Sequence, residues 1–161
     1  MNIKFRLLGT GSSMGVPRTD GFFGNCDPKI KKNYRTRCSA LISFDKSNIL
    51  IDTSPDLRQQ LLQAKIKTIN GVLYSHYHAD QTHGINDLRI FSLNSGIKIP
   101  VYCDEMTSRY LKNNFSYCFK KNNDYDQILK LYKLKKKFKI RMSKKFLKVL
   151  SIPVRHGSIN S

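Results

Sequence analysis

The chain has 161 residues, 40% apolar and 11% aromatic with no Trp, which suffices for one domain with a useful core and excludes a disordered composition. Its 29 Lys and Arg against 11 Asp and Glu set a net charge of +18, which fits either an anionic partner (nucleic acid or a phosphate ester) or a codon bias toward Lys, Asn and Ile. No stretch approaches the roughly 20 apolar residues of a membrane span, and the N-terminal apolar run is too short for a signal peptide; the expected protein is cytoplasmic, with Cys26, Cys38, Cys103 and Cys118 reduced.

Residues 3–8 alternate and then turn apolar, which predicts a strand. Gly9-Thr10-Gly11-Ser12-Ser13 follows as a tight loop, whose glycines free the backbone for positive φ or close approach. Met14-Gly15-Val16-Pro17 comes next where a dinucleotide fingerprint would need a third glycine and a helix, so that motif is excluded. Residues 19–38 read as loop. A strand is predicted over 39–44, a turn over 45–48 and a buried strand over 49–51, ending in Asp52-Thr53-Ser54. Pro55 should open a helix capped by Ser54, with Leu57, Leu61 and Leu62 as its apolar face.

Residues 69–74 predict a further strand that runs straight into a histidine cluster. A short helix is expected over 86–93, a strand over 99–102 and a helix over 105–118. From 120 to 148 lysines crowd the chain with Phe, Ile, Leu and Val between them, which predicts paired strands with the lysines solvated on one face. Residues 151–158 should end a strand in a loop. No repeat or linker is visible.

The chemistry concentrates in Ser75-His76-Tyr77-His78-Ala79-Asp80. His76, His78 and Asp80 alternate directly after an apolar strand, so in extended chain their side chains point the same way. Two imidazoles and a carboxylate can then converge on one ion, the donor set zinc accepts. A lone His-x-His is a weak signal; His-x-His-x-Asp at a strand end, followed closely by His83-Gly84, is a specific one. Asp52, at the end of the preceding strand, reads either as a carboxylate that orients a ligand histidine or as a turn residue.

These residues, together with Leu7-Leu8-Gly9-Thr10-Gly11-Ser12-Ser13 and Ile51-Asp52-Thr53-Ser54-Pro55-Asp56-Leu57-Arg58, resemble the metallo-β-lactamase superfamily. Asn33-Tyr34-Arg35-Thr36-Arg37, Gly84-Ile85-Asn86-Asp87-Leu88-Arg89 and Pro153-Val154-Arg155-His156-Gly157 resemble the branch that includes the cyclic ribose-phosphate phosphodiesterase of phosphonate breakdown. The resemblance implies an αββα sandwich built from two similar halves. It also implies two metal ions that share a hydroxide, the first held by His76, His78 and His156, the second by Asp80 and later residues.

Two departures matter. Gln81 stands where the family pattern has a metal-binding histidine, and His83 is the only nearby alternative. The late Asp and late His of the family have no counterpart here. The expectation is therefore an α/β chain, residues 1–161 as one domain, forming an incomplete sandwich truncated in its second half. It would carry one complete metal site (zinc, with manganese as the alternative ion), a second site impaired, and a bare sheet face that invites self-association or a separate C-terminal fragment. Cys26 is followed by Asp27-Pro28 rather than by further cysteines, so no structural zinc is expected.

The function implied by the resemblance is hydrolysis of a small phosphate ester by metal-bound hydroxide. Asp80 would be the catalytic carboxylate, and Arg35, Arg37 and Arg89 candidate phosphate contacts. Two other readings stand beside it. One is an inactive truncated or split gene product. The other is a nucleic-acid-binding protein or ribonuclease of the same superfamily, using the basic tract over 120–148. No membrane partner is expected.

Overall fold

The computed structural model describes residues 2–123, 125–157 and 159–160; the loop expected at Ser158 lies outside them. Six strands form one sheet in chain order: β1 (Lys4–Gly9), β2 (Ser39–Phe44), β3 (Ser47–Ile51), β4 (Gly71–Leu73), β5 (Ile99–Cys103) and β6 (Leu129–Lys133). β1–β2 and β2–β3 pair antiparallel, and β3 through β6 pair parallel. Parallel neighbours need crossovers, and helices supply them. They are α1 (Leu57–Gln63), α2 (Ala79–Thr82), α3 (Arg89–Ser95) after a 3-10 turn at Ile85–Leu88, α4 (Glu105–Asn114) and α5 (Ser116–Phe119).

The helices cover one sheet face. Leu41, Leu50, Val72, Val101 and Leu129 from the strands pack against Leu57, Leu61, Ile85, Leu88 and Leu111, all buried. Each such side chain contributes roughly 1.5–3 kcal/mol by leaving water. On the opposite face an antiparallel hairpin, β7 (Lys137–Met142) and β8 (Lys145–Leu150), lays Phe138, Ile140, Met142, Leu147 and Val149 over Ile42, Phe44, Ile49, Leu73 and Tyr102. The lysine-rich tract therefore forms paired strands with Lys137, Lys139 and Lys148 exposed, as its alternation predicts. Phe5 pairs with Ile42 and Leu7 with Ala40, yet Ile3, Phe5 and Leu7 stay exposed. The sheet face is thus covered at its centre and bare along β1.

Several local expectations shift. The predicted turn over 45–48 shortens to Asp45-Lys46, with Asp45 at φ 54°. Asn48 joins β3 because its amide is satisfied there, donating to the Thr68 carbonyl (3.0 Å) and accepting from Ser43 Oγ (2.7 Å). α1 begins at Leu57, two residues after Pro55, and Leu62 is exposed rather than core. The cause is tertiary: Asp56 is held by Arg37 through the backbone N–H (2.8 Å), Nε (2.9 Å) and Nη2 (2.7 Å). Ser54 Oγ accepts from the Asp56 N–H (3.2 Å) and donates to Gln60 Oε1 (3.1 Å), which makes it a turn residue ahead of the helix. The single helix expected over 105–118 breaks at Phe115, which has φ −130° and ψ 39°.

The glycine loop is explained by close approach. A Cβ on Gly9 would lie 2.0 Å from the Arg37 carbonyl oxygen, and one on Gly11 2.6 Å from that of Arg35. The loop therefore packs directly on the segment that leads into β2. No helix among the described residues is long and apolar enough to cross a membrane.

Candidate metal centre

The exits of β3 and β4 build the site. After Ile51 the chain turns sharply: Asp52 takes φ 60°, a left-handed conformation that Asp tolerates better than most residues. Its N–H donates to the Leu73 carbonyl (2.8 Å). Its Oδ1 accepts the Ser75 N–H (2.7 Å) and its Oδ2 accepts the Ser75 hydroxyl (2.8 Å). Burial pushes the Asp52 carboxyl up to about 7, against the pull of the two Ser75 bonds.

Ser75 Oγ lies 2.9 Å from His76 Nδ1, and His76 Nε2 lies 3.1 Å from His78 Nδ1. His78 keeps an extended backbone, and its carbonyl accepts the N–H groups of Gln81 (3.0 Å) and Thr82 (3.1 Å) as α2 starts at Ala79. The Thr53 N–H donates to the Gln81 carbonyl (2.7 Å), which ties α2 to the exit of β3. His156 arrives on a short strand, β9 (Arg155–His156), paired with β10 (Ile159–Asn160). Its ring centroid lies 4.8 Å from that of His76 and 5.3 Å from that of His78.

One ligand atom from each of His76, His78 and His156 lies within 4.8 Å of the others. Around a tetrahedral ion with bonds near 2.0–2.1 Å, neighbouring nitrogens sit roughly 3.3 Å apart. The 3.1 Å between His76 and His78 matches that spacing, and all three ligand atoms lie within 4.8 Å of one another, so the three imidazoles fit one ion with a small closing movement. His76 is lowered from its ordinary pKa by burial first, then by His78 and His156, with Asp80 and Asp104 opposing. The neutral form that binds metal is favoured.

Asp80 does not join this group among the described residues. The alternation that aligns His76 with His78 ends at Ala79, because Asp80 already lies in the first turn of α2. Gln81, buried, donates from Nε2 to Asp80 Oδ2 (2.7 Å). Where the resemblance implies an imidazole facing a second ion, an amide N–H faces the carboxylate instead, so the residues present do not fit a second ion. His83 does not replace it: its Nε2 lies 3.0 Å from the Tyr110 hydroxyl and its ring packs edge-on against Phe115.

The candidate phosphate contacts separate. Arg37 is committed to Asp56, whose carboxyl it holds below the usual range, and it also feels the charge of Asp80. Arg89 stacks its guanidinium over Tyr125, 4.6 Å from the ring centroid. Arg35 donates to Thr10 Oγ1 (2.9 Å) and lines a cleft of about 540 Å³ together with Lys32, Thr36 and Arg37. The three histidines are not among the lining residues of that cleft. Cys38, an exposed residue, has its thiol pushed up by partial desolvation and then by Asp52 and Asp80, so it lies within electrostatic reach of the site. Sequence reasoning assigned no role to Ser75 or to the Gln81 amide. The hydroxyl directly before the first histidine was the available signal for Ser75.

Residues 47–161 match the family described as the beta-lactamase superfamily domain. An octanoyltransferase of Porphyromonas gingivalis (strain ATCC BAA-308 / W83) is 38% identical over 117 residues, 72% of this chain and 23% of that protein. A crystal structure of a new diphosphatase from the PhnP family superposes with a TM-score of 0.80 at 30% identity, covering 99% of this chain and 60% of that one. The metallo-β-lactamase-fold protein YhfI from Bacillus subtilis superposes at 0.65 with 14% identity, over 98% of this chain and 54% of its own, a likeness of fold alone. The chain thus spans less than two thirds of the length of each.

Proposed function

Because this chain belongs to the beta-lactamase superfamily and has the metallo-β-lactamase fold, we propose that it is a metal-dependent hydrolase acting on a small phosphate ester. The observation that carries the reading is the convergence of His76, His78 and His156, brought together from the exit of β4 and from β9. The diphosphatase with 30% identity supports phosphorus as the site of attack, and the net charge of +18 suits an anionic substrate.

His76, His78 and His156 would hold the ion. An all-imidazole set favours zinc over manganese, which prefers oxygen donors. When bound, such an ion supplies Lewis-acid polarisation and acidifies a water toward neutral pH. The chain's own residues do the rest. Asp80, whose charge His76 feels, takes the proton of the attacking water, and the Gln81 amide holds that carboxylate in place. Water adds to phosphorus, the ester P–O bond breaks, and the leaving oxygen carries off the electron pair. Arg35 and Lys32, which line the cleft beside β1 and not the histidine group, add to the positive field that attracts the anion.

The test is hydrolysis of bis(4-nitrophenyl) phosphate by the purified chain loaded with zinc, beside the His76→Ala, His78→Ala double variant, with metal content by elemental mass spectrometry. One zinc per chain and turnover, both lost in the variant, is expected. Turnover that survives in the zinc-free double variant would sink the reading.

A further inference from the structure

We infer that Ser75 is a positioning residue that fixes the tautomer of His76, so that Nε2 presents its lone pair to the ion; this rests on the metal site proposed above. The argument follows hydrogen directions. Asp52 is buried, and its carboxylate faces Ser75 with both oxygens. An ionised carboxylate accepts only. Oδ1 takes the Ser75 N–H at 2.7 Å and Oδ2 takes the Ser75 O–H at 2.8 Å. The hydroxyl has one hydrogen, now spent on Asp52. Toward His76 Nδ1, at 2.9 Å, Ser75 Oγ can then act only as an acceptor. Nδ1 therefore carries the hydrogen, and Nε2 is left as an acceptor, its lone pair facing His78 Nδ1 at 3.1 Å in the three-histidine group.

The left-handed turn at Asp52 is part of the device. It brings the carboxylate at the end of β3 onto the residue that precedes His76, so the backbone strain at Asp52 serves the orientation of a ring one hydrogen bond further on. Asp52 thus acts on the ligand through Ser75. Tyr74, the residue before Ser75, holds the same exit in register, its N–H donating to the Tyr102 carbonyl (2.9 Å).

Two substitutions make opposite statements about the hydrogen. In Ser75→Ala the link is gone and His76 loses its tautomer preference. In Asp52→Asn the new Nδ2 donates to Ser75 Oγ, the hydroxyl hydrogen turns toward His76 Nδ1, and the tautomer inverts to Nε2–H. The readout is the pair of ring ¹⁵N shifts of His76 in long-range ¹H–¹⁵N spectra of metal-free protein at pH 8.5. Expected are Nδ1–H in the wild type and in Ser75→Thr, a mixture in Ser75→Ala, and Nε2–H in Asp52→Asn.

Zinc affinity by chelator competition should fall about 10- to 100-fold in Ser75→Ala, as loss of an orienting partner does, and return with Ser75→Thr. If Asp52→Asn does not fold, the Ala and Thr variants at position 75 carry the test. An unchanged His76 tautomer in Ser75→Ala would overturn the inference. Wild-type Nδ1–H with no zinc binding at all would leave the role of Ser75 standing and remove the proposed metal site instead.

Discussion

The ligand that travels furthest gives the sharpest test. His76 and His78 share one loop, whereas His156 sits exposed on β9, a strand of two residues, beyond a stretch at 151–154 with no regular structure. That stretch is tethered by Ser151, whose N–H donates to the Lys136 carbonyl (3.0 Å) and whose hydroxyl donates to that of Lys135 (3.1 Å). An ion that needs all three imidazoles must hold β9 against the exit of β4, so its binding energy becomes folding energy. At free zinc a hundredfold above Kd, the gain is about 2.7 kcal/mol. For a domain of this size each kcal/mol moves Tm by about 2–4 °C, which makes a rise of roughly 5–11 °C. His156→Ala leaves two ligands. A loss on the order of 100-fold in affinity brings zinc at the same concentration to about Kd, where the gain shrinks to about 0.4 kcal/mol and a degree or so. Thermal unfolding by circular dichroism, with and without zinc, reads both. A His156→Ala chain that shows the full wild-type rise would refute a three-histidine site.

Three further outcomes follow from the same contacts. The Asp52 carboxyl, at about 7 when folded and near 3.9 when unfolded, holds its proton more tightly in the folded chain across that window. Its contribution is therefore full below about pH 4 and lost as pH rises to about 7, by up to roughly 4 kcal/mol in metal-free protein. Urea titrations at pH 5 and pH 8 should show about 2.6 kcal/mol of that loss in the wild type relative to Asp52→Asn, and an equal change in stability with pH in the two proteins would contradict the burial argument. Arg37→Ala removes the two side-chain bonds to Asp56 in a half-buried setting, leaves the one from the backbone N–H, and should cost about 2–3 kcal/mol in urea denaturation. Arg37→Lys should recover little of this, because a lysine cannot make the forked contact, and a cost below about 0.5 kcal/mol would show the pair to be incidental. Edge strand β1 exposes Phe5 and Leu7, with Ile3 exposed just before it, so sedimentation should find self-association that Leu7→Lys weakens, whereas a wild type that is monomeric at high concentration would show that the strip is tolerated.

What the sequence made legible follows from the range of the forces involved. The strands β2 and β3 and the β7–β8 hairpin were readable because alternation is a local property and each face meets one environment. The start of α1 was not, because the proline rule is local while Asp56 answers to Arg37, 19 residues away. His76 and His78 were legible from spacing alone. His156 was reached through family resemblance, since nothing local marks a histidine that must cross from the far end of the chain. The harder lesson lies in Asp80 and Gln81. Alternation put Asp80 in line with the histidines, but the backbone enters α2 at Ala79, and the periodicity changes from two to 3.6 in the middle of the motif. Once Asp80 has turned into the helix, what stands beside it in sequence decides what it meets. An imidazole at position 81 would offer a lone pair that a second ion could bridge to Asp80. The amide of Gln81 offers an N–H, which Asp80 accepts directly at 2.7 Å. One residue type therefore converts a position that would share an ion into one closed by a hydrogen bond. That is why the motif, taken as a pattern, points to metal, while the number of ions depends on which atom the neighbouring side chain presents.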